Sequence, residues 1–345
     1  MISDTPSANG SSSESVPLRV LVTGASGFVG SLLIPALCEQ GHAVRAFGRD
    51  PRRVHRALGR TCARRDALAV EMAQGDVLSA DGLAAALAGI DVAYYLIHSM
   101  ERSPGNAPFD ERDRIGAENF AAAASRAGVR RIVYLGGLVP AGPPDAHAAA
   151  DAARERSSRH LASRAHVERN LLGAVPDSLA LRASIVIGAR SRSFRLLVHL
   201  VERMPVLALP SWQTLRTRPI DERDITAMLA ACATVAAPPR RTLDIGGPDV
   251  LSYGEMLQRI AELMLVGRPA LRLGVKLTGV TARVAAAIAG EDPELVVPLM
   301  EGLEADLLPG DERASRLLGV RLHSFDSAVE HALAEWEAFE PLAAR

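Results

Sequence analysis

Short β-branched runs alternate with longer segments rich in Ala and Leu along the first half of the chain. From Leu18 onward the segments are LRVLVTG, SLLIPALCEQ, AVRAFG, a polar helix, AVEMAQGD, DGLAAALAG, DVAYYLI, ENFAAAASRAG and RRIVYLGG. Apolar runs between helical segments indicate strands covered on both faces, and hence a parallel sheet with right-handed crossovers. The pattern therefore predicts a doubly wound, parallel α/β fold of the Rossmann type.

A different pattern begins after a sixth predicted strand, SLALRASIVIG, which ends at Gly188 and follows a helix predicted from about Ser157 to Leu172. Beyond it, TLRTRPI and RTLDIGG predict strands. The other periodic segments predict helices: SFRLLVHLVERM, DERDITAMLAACATV, SYGEMLQRIAELM, TARVAAAIAG, PELVVPLMEGLEADLL and SAVEHALAEWEAF. We therefore predict a Rossmann domain over residues 18–188 and a smaller, mostly helical substrate subdomain over residues 189–345, interleaved with the Rossmann body.

Charge narrows the range of partners. The 345 residues include 39 basic and 40 acidic side chains, for a net charge of −1. The basic surplus that nucleic-acid binders use against phosphate is therefore missing, and no nucleic-acid partner is predicted. The apolar stretch from Gly274 to Gly290 is interrupted by polar residues such as Lys276 and Arg283, so we predict no integral membrane span and at most peripheral membrane contact. A small-molecule substrate is the expected partner, and the oligomeric state is left open.

The N-terminal segment and the cysteines bear on location and metal binding. Residues 1–17 are Ser-rich and lack both a basic n-region and an apolar h-region, which predicts a disordered leader and not a signal peptide. A cytoplasmic location follows as an expectation. The three cysteines lie far apart, with no CxxC pair and no His at ligand spacing. Neither a disulfide framework nor a metal site is predicted.

The strongest motif is TGASGFVG, which falls between the first strand and the first helix. In such a turn the first glycine permits a tight bend, the second lets the backbone approach a pyrophosphate, and the third lets the helix pack on the strand. The N-terminus of the helix then faces the phosphate. The motif predicts dinucleotide binding by Gly24, Ser26, Gly27, Phe28, Val29 and Gly30, and the alternative is a tight turn without a ligand.

The end of the second strand indicates which dinucleotide is bound. NAD-binding proteins usually carry an acid at this tip, whereas here Gly48 is followed by Arg49. A guanidinium offers bidentate contacts to the 2′-phosphate that an acid would repel, so NADP(H) is favoured over NAD(H). Two alternatives stay open: Arg49 only solvates the start of a helix, or Asp50 turns inward.

Two further strand tips lie on the same edge of the predicted sheet. Asp76 and Val77 follow the third strand, and Leu96, Ile97 and His98 follow the fourth. We expect Asp76 to accept a hydrogen bond from the adenine amino group and Val77 to pack on the ring. A turn or capping role for Asp76, and a core or capping role for His98, are the alternatives.

These motifs, together with YLIHSM, RIVYLGG, LRASIVIG and RTLDIGGPDVLSYGEM, resemble a known family. They are similar to the atypical, extended-type short-chain dehydrogenase/reductases, which are epimerase/dehydratase-like proteins close to the NmrA-like group and to the Rossmann accessory subunit of respiratory complex I. The resemblance extends from about Leu18 to the C-terminal helix. It implies NAD(P)(H) binding, and it places a substrate cleft near Ser184–Gly188, Trp212, Arg216, Arg218 and Pro219–Asp221. For Trp212 the alternative is packing in the core.

The resemblance also implies a catalytic pair that this chain lacks. Active members of the superfamily use a Tyr general acid and a Lys four residues later, assisted by a Ser or Thr after the fifth strand. Here Lys276 is the only lysine, no tyrosine has a lysine four residues later, and Gly136–Gly137 stands where the Ser is expected. In the corresponding helix the best match is His160 and Arg164, whose spacing places both on one helical face.

Two interpretations of this helix remain open. In one, Arg164 anchors the ribose and phosphate side of the cofactor, while His160 exchanges a proton beside the nicotinamide. In the other, both are solvated surface residues. The predicted function is an NAD(P)(H)-dependent oxidoreductase acting on a small organic, isoprenoid-like or quinone-like substrate. The alternative is a non-catalytic protein that senses NADP(H) or binds it structurally.

Overall fold

The computed structural model describes residues 16–61, 69–97, 109–138, 159–236, 241–272, 287–288 and 306–338. Most of the predicted leader, His98, and most of the two helices predicted from TARVAAAIAG and PELVVPLMEGLEADLL lie outside the described residues.

Thirteen strands carry the architecture of the described residues. They are β1 Arg19–Thr23, β2 Ala43–Gly48, β3 Glu71–Gln74, β4 Val92–Tyr95, β5 Arg131–Gly137, β6 Leu179–Ala183, β7 Val186–Ile187, β8 Leu207–Leu209, β9 Arg216–Thr217, β10 Ile220–Asp221, β11 Thr242–Asp244, β12 Leu251–Ser252 and β13 Ala270–Arg272. A short 3₁₀ helix at Ser211–Thr214 separates β8 from β9.

The α-helices alternate with these strands. Over the described ranges they are α1 Phe28–Glu39, α2 Pro51–Thr61, α3 Leu83–Leu87, α4 Phe109–Arg126, α5 Arg159–Ala174, α6 Arg192–Arg203, α7 Glu222–Ala231, α8 Tyr253–Leu263, α9 Arg313–Leu317 and α10 Phe325–Glu337. No helix in the described part of the chain combines the length and the apolar character that a membrane crossing requires.

Seven parallel strands form the central sheet, in the order β11-β6-β5-β4-β1-β2-β3. The predicted doubly wound Rossmann sheet is thereby confirmed. The strand order reverses between β1 and β4, where Val22 lies opposite Tyr94. In open α/β sheets a ligand binds at such a reversal, outside the carboxyl ends of the strands.

Helices cover both faces of this sheet because alternate strand residues point to opposite sides. Val20 and Val22 of β1 join a buried cluster with α1 and α7, whereas Leu21 joins a second buried cluster with α3, α4 and α5. Both faces are therefore apolar, as the unbroken apolar runs in the sequence predict.

The sixth predicted strand is divided in the structure. Residues of SLALRASIVIG form β6, which stays in the main sheet, and β7, which leaves it and pairs with β10. The break lies at Ser184, whose hydroxyl donates to the carbonyl oxygen of Arg218 (3.2 Å). TLRTRPI is divided in the same way around Arg218 and Pro219, since proline has no N–H to donate to a ladder.

A third buried cluster belongs to the C-terminal half of the chain. It joins α6, α8 and α10, with Phe194, Met256 and Trp336 among its members. Chain beyond Gly188 also contributes to the main sheet, because β11 pairs with β6. The domain boundary at Gly188 itself stays a prediction.

Candidate cofactor site

The glycine-rich turn fills the space between the ends of β1 and β4. Gly24 has a φ of +66°, and a Cβ there would lie 2.6 Å from the carbonyl oxygen of Leu96. A Cβ on Gly30 would collide with the carbonyl oxygen of Gly24. Gly27 donates its N–H to that same carbonyl (2.8 Å). The conformation therefore needs glycine at the first and third positions, because only glycine lacks the atom that would clash.

Thr23 joins the two strands at the edge of the turn. Its hydroxyl donates to the carbonyl oxygen of Tyr94 (2.9 Å) and accepts from the N–H of Leu96 (3.3 Å). The side chain is fully buried. The ends of β1 and β4 are thus held at a fixed separation where a ligand would enter.

The start of α1 suits an anion. Gly27 occupies the N-cap and supplies no side-chain cap, so the first N–H groups of the helix keep their positive end toward the turn. Ser26 and Gly27 are exposed, and Phe28 and Val29 are half-buried. A pyrophosphate with its negative charge fits this exposed helix start.

The tip of β2 presents a basic surface. Arg49 is exposed, and its carbonyl oxygen accepts from the side-chain amide of Gln74 (3.2 Å). Asp50 does not point inward: its carboxylate accepts from the N–H of Arg52 (2.8 Å) and so starts α2. Arg49 is therefore followed by a helix whose exposed residues include Arg52 and Arg53.

The residues that follow β3 and β4 make contacts within the protein. The carboxylate of Asp76 accepts from the N–H of Leu78 (2.9 Å), as in the turn role given above as the alternative. Val77 is buried, and its carbonyl oxygen accepts from the side chain of Asn119 on α4 (2.8 Å). Adenine contacts of Asp76 and Val77 stay predictions. Leu96 and half-buried Ile97 follow β4 beside the glycine turn.

Helix α5 places Arg164 near a buried phenol. The hydroxyl of Tyr134 on β5 donates to the carbonyl oxygen of Arg164 (3.5 Å). Burial raises the pKa of Tyr134 to about 12, and the positive charge of Arg164 opposes part of this rise. His160 belongs to the same helix, but its side chain lies outside the described residues. The predicted pairing of His160 with Arg164 stays a prediction.

A buried charge network one turn further along α5 was missing from the sequence-based predictions. Glu168 accepts two hydrogen bonds from Arg182 on β6 (2.7 and 2.8 Å) and one from Thr242 on β11 (2.8 Å). The signal in the sequence is Arg182, a charged residue inside the apolar strand LALRA. The network holds α5 against β6 and β11.

The predicted substrate-cleft residues are engaged with protein. Arg216 pairs with Asp306 (2.7 Å) and Arg218 with Glu312 (2.6 Å). Trp212 is buried and packs edge-on against Tyr253, with ring centroids 6.2 Å apart. Of the two roles considered for this tryptophan, the structure favours packing in the core.

Comparisons with known proteins support NAD(P)H binding. Residues 24–171 match a family model described as NAD(P)H-binding. A solved structure of MoeE5 in complex with UDP-glucose and NAD shares the fold, with a TM-score of 0.65 over 93% of this chain and 99% of that chain at 18% identity.

Two curated relatives cover different shares of the chain. The 3 beta-hydroxysteroid dehydrogenase/Delta 5-->4-isomerase of Mycobacterium tuberculosis (strain CDC 1551 / Oshkosh) is 40% identical over 125 residues, which is 34% of this chain and 30% of that protein. The mitochondrial NADH dehydrogenase (ubiquinone) 1 alpha subcomplex subunit 9 of Arabidopsis thaliana is 25% identical over 249 residues, which is 70% of this chain and 57% of that protein. The chain thus spans about a third of the length of the first curated relatives that it matches, 30% and 31%.

Proposed function

We propose that this chain is an extended, epimerase-like NAD(P)-binding protein of the short-chain dehydrogenase/reductase type. In this proposal it acts as an NADP(H)-dependent oxidoreductase without the usual Tyr–Lys pair. Its substrate would be a small organic molecule that carries a hydroxyl or carbonyl group, of isoprenoid-like or quinone-like character. The relative from Mycobacterium tuberculosis is named for a hydroxysteroid, which supports an apolar alcohol or ketone. A cytoplasmic location remains an expectation from the sequence.

The glycine turn carries the proposal. Gly24 and Gly30 have no room for a side chain, and the turn lies at the reversal of strand order, where α/β proteins bind ligands. A tight turn alone does not require an uncapped, exposed helix start beside it. All three features together fit a bound pyrophosphate.

The bound nicotinamide would supply hydride chemistry, and the chain would supply orientation and a proton path. In our proposal Arg164 holds the ribose and phosphate side, as its half-buried position on α5 allows. His160 accepts the hydroxyl proton during oxidation and returns it during reduction. Tyr134 is buried and keeps its proton at neutral pH because its pKa is about 12, so we give it a packing role.

The preference for NADP(H) rests on the tip of β2. The carboxylate of Asp50 caps α2, which leaves the exposed Arg49 as the charged side chain that we expect to contact the 2′-phosphate. Replacing Arg49 by alanine should weaken NADPH binding by roughly tenfold to a hundredfold, equivalent to about 1.5–3 kcal/mol for a charge-assisted contact. NADH affinity should stay the same, as measured by fluorescence titration of both nucleotides.

Arg53→Ala is the matched control, since Arg53 is an exposed arginine on α2. It should leave both affinities nearly unchanged. Tighter binding of NADH than of NADPH by the unmodified protein would reverse the proposed preference.

Measurements of kcat and of NADPH affinity distinguish the proposed roles of His160 and Arg164. His160→Ala should lower kcat by about 10²- to 10⁴-fold with little change in NADPH affinity. Arg164→Ala should mainly weaken NADPH binding, because an anchor contributes in the ground state as well as in the transition state. If neither change alters turnover or binding, the helix has no part in the site.

The second candidate is a dinucleotide-binding protein without catalysis. The observation that favours it is the lone lysine, Lys276, together with Gly136–Gly137 where a Ser is expected. Mass spectrometry of the purified protein should distinguish the two functions by identifying any small molecule that accompanies the nucleotide. Bound nucleotide with no turnover across a broad panel of carbonyl and conjugated acceptors would favour the second candidate.

A further inference from the structure

A cluster of two carboxylates and one imidazole lies between α7 and α10. Glu222 is the first residue of α7, and His331 and Glu335 lie one turn apart on α10. One ligand atom from each residue can be chosen so that all three lie within 4.8 Å of one another. The cluster therefore joins two helices that are distant in the sequence.

Glu222 is buried deeply and aimed into this cluster. Its side chain is 4% exposed, and a Cβ on Gly188 would collide with its carboxylate and lie 2.7 Å from the ring of Phe28. The carboxyl group of Glu222 and the ring of Phe28, the first residue of α1, therefore lie close together beside Gly188. The neighbouring Asp221 already caps α7 and forms an ion pair with Arg223, so we do not count its carboxylate among the ligands of the cluster.

The carboxyl groups of Glu222 and Glu335 lie in hydrogen-bond contact. A divalent cation bound between them would neutralise both carboxylates together.

The spacing of the imidazole is compatible with a metal ion shared with Glu222. Nε2 of His331 lies 3.5 Å from a carboxylate oxygen of Glu222, which is long for a hydrogen bond. Two ligands on a tetrahedral zinc ion, each bound at about 2.0–2.1 Å, lie roughly 3.4 Å apart. The observed distance matches this separation.

We propose that Glu222, His331 and Glu335 form a binding site for a zinc-like divalent cation, with water as the fourth ligand. A nitrogen ligand disfavours Mg²⁺ and Ca²⁺, which prefer oxygen, and suits Zn²⁺ or Co²⁺. The ion would fasten α10 to α7 behind the start of α1. The proposal does not depend on the proposed enzymatic function.

The test uses the full chain without an affinity tag, dialysed against a chelator and then against buffer. Addition of ZnCl₂ should give one tightly bound zinc per chain by elemental analysis and a higher thermal midpoint. CoCl₂ should give the visible absorption of a tetrahedral site. Glu335→Gln, which keeps the shape of the side chain, should weaken zinc binding by at least about tenfold.

Glu330→Gln is the matched control, because Glu330 is an exposed glutamate on the same helix. It should retain the zinc stoichiometry and affinity of the unmodified protein. Failure to bind zinc at micromolar concentrations would overturn the proposal. Zinc that stays bound at full affinity to both Glu335→Gln and His331→Ala would also overturn it, since the ion would then be held elsewhere, for example by cysteines. Because the readouts are metal content and the thermal midpoint, they are independent of any catalytic activity.

Discussion

Replacing Gly24 by alanine tests whether the turn is as crowded as its geometry indicates. An alanine there must adopt a φ of +66°, which costs about 1–2 kcal/mol for a residue with a Cβ. Its Cβ would also lie 2.6 Å from the carbonyl oxygen of Leu96, inside the 3.0 Å that real Cβ contacts essentially never cross. Forcing backbone apart in a packed region costs about 1–3 kcal/mol more. The free energy of unfolding should therefore fall by about 2–5 kcal/mol.

Two other glycines separate these contributions. Gly128 follows α4 with a φ of +71° but has open space around its missing side chain, so Gly128→Ala should cost only the conformational part, about 1–2 kcal/mol. Gly173 lies in α5 with neither a positive φ nor a close neighbour. Gly173→Ala should raise stability by about 0.5–1 kcal/mol, because glycine is a poor helix former.

Urea denaturation of all four proteins measures these differences through the midpoint at constant slope. Titration with NADPH should show a large loss of affinity for Gly24→Ala alone, since only that change displaces the turn. Equal destabilisation by Gly24→Ala and Gly128→Ala would refute the steric argument, because it would leave no cost for the contact with Leu96.

Two further predictions concern titration and helix capping. All four tyrosines are buried, and burial raises the pKa of Tyr134 and Tyr253 to about 12 and those of Tyr94 and Tyr95 well above the ordinary value. The native protein should therefore show little tyrosinate absorbance at pH 10.5, whereas the tyrosines of the urea-unfolded chain titrate near pH 10. Because the folded state keeps protons that the unfolded state loses, the free energy of unfolding should fall as the pH rises above about 10. Asp50→Ala should lower the free energy of unfolding by about 0.5–2 kcal/mol, because α2 loses its N-cap, and it should leave the ratio of NADPH to NADH affinity unchanged. A shift of that ratio toward NADPH would instead show that the carboxylate faces the ribose.

Local patterns in the sequence predict the sheet and the glycine turn because both depend on neighbouring residues. Apolar runs specify buried strands, and three glycines at fixed spacing specify the turn. The division of SLALRASIVIG into β6 and β7 is not local, since β7 leaves the sheet to pair with β10, whose strand residue Ile220 lies well beyond α6. No alternation within the segment itself signals that partner.

The same limit applies to the side-chain clusters. Arg182 is visible in the sequence as a charge within a strand, but its partner Glu168 lies on the preceding helix and is one of several acids available. Cysteine spacing predicts no metal site, and the cluster of Glu222, His331 and Glu335 contains no cysteine. Its members come together only because α7 and α10 meet in the folded chain.

The buried hydroxyl of Thr23 has a consequence for the energetics of ligand entry. Because it forms hydrogen bonds with the backbone of both Tyr94 and Leu96, it aligns the ends of β1 and β4 when the sheet folds. The loss of backbone entropy needed for that alignment accompanies folding and not association. The binding site for a nucleotide at this edge is therefore preorganised. Little of the free energy of binding is spent on ordering the protein, so more of it appears as affinity.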